Sequence, residues 1–112
     1  MDSSPAERLD LVCQAYKDAL ARRPDDLKQC QTAEEAQQVM ANVDSLEIAY
    51  LDAVASALAA NGPEVEASYQ AAKDAADAVE QAYQQGQALA ARITAVAGVV
   101  TAVSNLVTKA SA

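Results

Sequence analysis

The chain contains no histidine, no tryptophan and no phenylalanine, and only three glycines, three prolines and two cysteines among 112 residues. Without an imidazole there is no His-based acid–base catalysis, no Ser–His or Cys–His pair, and no Glu-x-x-His di-iron set. Three glycines are too few for a phosphate-cradling loop, and neither a Gly-x-Gly-x-x-Gly nor a Walker spacing occurs. No stretch carries the alternating oxygen ligands and central glycine of an EF-hand loop. Two cysteines without histidine leave zinc short of ligands. The reading is therefore of a protein that is not an enzyme, with no catalytic, metal or cofactor residues assigned.

Basic residues are also scarce. Eight Lys and Arg face 16 Asp and Glu, for a net charge of −8, which disfavours a nucleic-acid partner because phosphate neutralisation needs clustered cations. The charge is uneven. All 16 acids lie in residues 1–80, whereas residues 81–112 carry only Arg92 and Lys109. No basic-then-apolar leader opens the chain at Met1-Asp2-Ser3-Ser4, so the expectation is a cytoplasmic protein or one exported without a signal. The most apolar stretch, 93–103, falls short of the roughly 20 residues of a membrane span, so no transmembrane segment is expected.

What the chain has in abundance is alanine, at 28 of 112 residues. Codon bias accounts for such an excess as well as close helix packing does. In either case alanine is the strongest helix former. Ser4-Pro5-Ala6-Glu7 and Thr32-Ala33-Glu34-Glu35 are capping boxes. Leu9, Val12, Cys13, Tyr16 and Leu20 form one stripe, and Pro24 is read as the stop of the first helix. In the second helix Val39, Val43, Leu46, Tyr50 and Ala53 keep heptad spacing, while Met40, Ile48, Leu51, Val54 and Leu58 lie off that seam. Apolar residues on more than one face imply two neighbouring helices. Asn61-Gly62-Pro63 ends it.

From Val65 to Val107 one apolar or small heptad register runs through Gly86, with a second row at Leu89, Val96 and Val103. The expected fold is all-α: one up-down four-helix domain over about 5–23, 33–60, 63–85 and 87–109. A three-helix form with one long C-terminal helix is the alternative, because a mid-helix glycine costs only about 1 kcal/mol.

Cys13 and Cys30 stand at the two sides of the connector expected at 24–31, and a bridge folding it back along the first helix is sterically allowed. Two reduced thiols acting as small hydrophobes are the other reading. The acid-free C-terminal segment makes Leu89, Ile93, Val96, Val100, Val103, Leu106 and Val107 the candidate interface. The expected function is helical interaction through apolar packing, with self or with a protein partner. The alternatives are an amphipathic coat on a membrane or polymer surface, and an acidic inhibitor or immunity-type protein bound to a basic partner. Asp74, Asp77 and Glu80, spaced three apart, are read as a solvated face, and the four tyrosines as seam residues.

Overall fold

The computed structural model describes residues 2–111. Four helices form: α1 (Pro5–Gln29), α2 (Ala33–Ser56), α3 (Pro63–Gln84) and α4 (Leu89–Ala110). Both expected helix starts are present. Ser4 Oγ accepts from Glu7 N at 3.1 Å and Glu7 Oε1 accepts from Ser4 N at 2.8 Å, the reciprocal capping box. At α2, Thr32 Oγ1 accepts from Glu35 N, but the Glu35 carboxylate reaches Gln31 N instead of Thr32 N. Gly86 breaks the last helical region. It takes φ +64 in the left-handed region, with Gln87 N donating to Ala82 O and Gly86 N to Tyr83 O, a Schellman ending. The four-helix reading therefore holds and the long-helix alternative does not.

Two boundaries differ from expectation. Pro24 lies inside α1, which continues to Gln29. Proline removes one backbone donor and crowds the carbonyl four residues back, which usually ends a helix. Here the segment beyond it is anchored: Asp26 is bonded by Arg92 and Tyr83, and Gln29 by Arg92. The other end of the connector is pinned by Cys30 N on Leu27 O. Helix α2 stops at Ser56 instead of near Ala60, because Ala57 and Leu58 turn left-handed at φ 61 and 50. That turn buries Leu58 completely. Gly62, at φ 134 and ψ 170, is the N-cap of α3, in a region essentially reserved for glycine.

The helices run alternately up and down, but their order around the bundle is α1–α2–α4–α3. Asn42 near the start of α2 bonds Ile93 O near the start of α4, and Ser56 at its end meets Ser111. These two helices are therefore parallel neighbours. Ion pairs Arg8–Glu66 and Arg22–Glu80 likewise set α1 parallel to α3. α2 and α3 do not approach each other. The 57–62 connection passes the end of α4, where Ala60 N donates to Ala110 O at 2.9 Å.

The core is Val and Ala with few large residues: Val12, Leu46, Ala53, Leu58, Ala72, Val103 and Leu106 are almost wholly enclosed. Small residues let the helices close up, but each contributes little buried area at about 25 cal/mol per Å². Polar clamps complete the lower end. Arg8 is fully buried, and its guanidinium donates to Ser3 Oγ and O, Leu58 O, Ala60 O, Asn61 Oδ1 and Glu66 Oε2 at 2.8–3.1 Å. Glu66 also accepts from Ser3 N, the main reason its carboxyl is held below its ordinary value, with Arg8 adding to the effect. Substituting Arg8→Met leaves several enclosed carbonyls unpaired. It is expected to cost roughly 3–5 kcal/mol, the range for breaking one side of a buried ionic network, and urea unfolding measures it.

Candidate interaction surface

At the upper end of the bundle a second polar cluster joins α1, α3 and α4. Arg92 Nη1 donates to Asp26 Oδ1 at 3.1 Å, and the Tyr83 hydroxyl donates to Asp26 Oδ2. The guanidinium carbons of Arg22 and Arg92 lie 4.3 and 5.1 Å from the Tyr83 ring centre, so the ring sits between two cations. Burial pushes the Tyr83 phenol well above its ordinary value of 10.0, and the hydrogen bond to anionic Asp26 raises it further against the two arginines. Within the cluster the buried Arg92 Nε has no hydrogen-bond partner among the described residues, and the cluster opens onto no chamber. The space beneath it is about 10 Å³, and the cleft between α1 and α3, over Leu46, Val96 and Val99, about 30 Å³. These hold a water molecule or so, whereas small-molecule sites need on the order of several hundred Å³.

The acids read as a solvated face are on the surface: Asp74, Asp77 and Glu80 are exposed, Glu80 pairing with Arg22 and Asp74 accepting from Gln70. No three His, Cys, Asp or Glu side chains converge among the described residues.

The disulfide drawn from the sequence is not formed. Cys13 and Cys30 are free. Because α1 continues through Pro24, 17 residues of nearly unbroken helix separate them, or about 25 Å at 1.5 Å per residue, far beyond bridging distance. Cys30 instead donates its thiol to Asp26 O.

The seven residues proposed as an interface turn inward. Ile93, Val96, Val103, Leu106 and Val107 are buried and Leu89 and Val100 half-buried, because α4 lies between α2 and α3 and fills the bundle. At 22 residues, α4 is also long and apolar enough to cross a membrane by length and composition alone, which its eleven-residue apolar stretch did not suggest. In the bundle its outward positions are mostly small and uncharged, among them Thr94, Ala97, Gly98, Thr101 and Thr108, while Lys109 is exposed in the last turn and pairs with Glu64.

The uncovered apolar residues are on α2 instead. Ile48, Leu51 and Val54 are 60, 58 and 52% exposed, with Met40 and Leu20 of α1 at 38 and 36%. Spaced three apart, Ile48, Leu51 and Val54 form one ridge on the outer side of the helix. The off-seam residues of α2 implied a second covering helix, yet of that set only Leu58 is enclosed. On the α1 side the ridge borders the stacked rings of Tyr16 and Tyr50, 5.7 Å apart, and Tyr16 donates to Glu47 Oε2 at 2.8 Å. On the α4 side, Asp52 and Ala55 share an open groove with Val107 and Thr108. Comparison of the chain with protein-family models, curated proteins and solved structures finds no match.

Two outcomes separate core from surface. Leu106→Ala is expected to cost roughly 2–5 kcal/mol, the range for a buried leucine. Leu51→Ala should change stability by no more than about 0.5 kcal/mol, and chemical unfolding of both variants checks this. The second concerns pH. Folded Tyr83 keeps its proton while the unfolded chain ionises above 10.0, so its contribution is full below that pH and lost as pH rises through the folded value. The stability advantage of the wild type over Tyr83→Phe should therefore narrow above pH 10, and parallel melts across alkaline pH measure it.

Proposed function

We propose that this protein is a non-enzymatic helical interaction module that holds a helix of a partner chain along the outer face of α2. One observation carries the reading. Three large aliphatic side chains in a row, Ile48, Leu51 and Val54, are each more than half exposed, whereas the other large apolar residues among the described ones are enclosed or partly covered. Contiguous exposed apolar surface is characteristic of binding faces, whereas scattered single residues are ordinary. A ridge of i, i+3 side chains suits a helix laid alongside it.

The reading keeps the mode of interaction inferred from the sequence, apolar helix packing, and moves its location from α4 to α2. The Ile93–Val107 residues already have partners in α2 and α3, and exposing them would dismantle the bundle.

Panning a displayed library of amphipathic helices against the full chain tests this, with the Ile48→Gln/Leu51→Gln/Val54→Gln variant as counter-target. Because those positions are exposed, the variant should keep the wild-type circular dichroism and melting curve. Helices with apolar residues at i, i+3 and i+7 should be enriched on the wild type and lost on the variant. No enrichment, or equal enrichment on both, overturns the reading.

A further inference from the structure

The charges that α2 itself carries around its ridge all have one sign. Helix α2 carries five acidic residues and no Lys or Arg. Asp44, Glu47 and Asp52 are exposed around the ridge. Glu47 lies on its α1 side, where it meets Tyr16, and Asp52 on its α4 side, beside Thr108. Asp44 stands one turn before Ile48. Asp44 and Asp52 enter none of the ion pairs among the described residues. Glu47 uses Oε2 for the Tyr16 hydroxyl, which leaves Oε1 to accept from a second donor. Arg23 of α1 approaches the Tyr16 end, and no base stands on α2 itself.

We propose that the helix held on this ridge is a basic amphipathic one, its apolar seam on Ile48, Leu51 and Val54 and its Lys or Arg side chains against Asp44, Glu47 and Asp52. The proposal rests on the helix-docking reading above and adds the chemistry of the partner. A second copy of this chain is a poor occupant. Two α2 helices related by a two-fold axis would set the same acids against one another, with no base on either helix to relieve them. An anionic lipid surface meets the same repulsion. A basic amphipathic helix gains apolar contact and charge complementarity together, so its association should be fast and sensitive to salt.

Three helical peptides of about 18 residues, long enough to span the ridge at 1.5 Å per residue, provide the test. They share one leucine seam and differ in carrying Lys, Gln or Glu beside it. Binding to the full chain is followed by fluorescence anisotropy at low and high salt. The Lys peptide should bind, at least about tenfold tighter than the Gln peptide, with the Glu peptide weakest. The Asp44→Asn/Glu47→Gln/Asp52→Asn variant should erase the preference for Lys, and Ile48→Gln/Leu51→Gln should abolish binding. If the Gln peptide binds as tightly as the Lys peptide, the basic partner is wrong while helix docking stands. If no peptide binds, both readings fail. Lys-peptide binding that survives Ile48→Gln/Leu51→Gln overturns the ridge as its seat. A dimer in sedimentation, or flotation with phosphatidylcholine vesicles, that this variant abolishes overturns the proposal in favour of a second copy or a lipid surface.

Discussion

The buried guanidinium of Arg8 is the interaction on which the lower end of the bundle depends. It gathers the N-terminal residues, the left-handed turn after α2 and the first turn of α3 around one cation. Ala57 and Leu58 stand at positive φ without being glycine, a conformation that costs roughly 1–2 kcal/mol per residue. Two contributions offset that strain: complete burial of the Leu58 side chain, and acceptance of the Arg8 donors by the Leu58 and Ala60 carbonyls. Without the turn α2 would run on, and the connection to α3 would not reach past the end of α4.

A polar clamp at each end is the natural counterpart of an alanine- and valine-rich centre. Ala19, Ala49, Ala53, Ala72, Ala82 and Ala110 are all buried. They allow close helix approach but bury little area each. The upper clamp of Asp26, Tyr83 and Arg92 ties the end of α1 to α3 and α4 and holds α1 helical beyond Pro24. That extension decides the cysteine question. A helix ending at Pro24 could fold its connector back toward Cys13, whereas one that continues carries Cys30 away.

The position of α4 determines which apolar surface remains outside. With neighbours in both α2 and α3, α4 turns its Val, Ile and Leu row inward and leaves mostly small residues facing out, with Lys109 in its last turn. Helix α2 contacts α1 and α4 on its inner side, so the ridge on its back stays uncovered. The acidic residues around that ridge then give a docked helix a preferred charge.

Local signals on single segments were legible in the sequence: both helix starts, the four-helix count beside its long-helix alternative, and the shared face of Leu89, Val96 and Val103, which was expected to meet a partner and instead packs inward. These depend on backbone chemistry and on spacing within one helix. The role of Arg8 had a readable sign, since it falls in register with Val12 and Ala19 on the buried side of α1, but a charge on an apolar stripe does not name its acceptors. The course of α1 through Pro24, the early end of α2, the neighbour order and the outward turn of Ile48, Leu51 and Val54 were decided only by the tertiary structure. Each follows from contacts between residues far apart in the chain, such as Tyr16 with Glu47, Arg8 with Leu58 and Asp26 with Arg92. Helical periodicity identifies which side chains share a face, and the packing of the four helices determines which of those faces is covered.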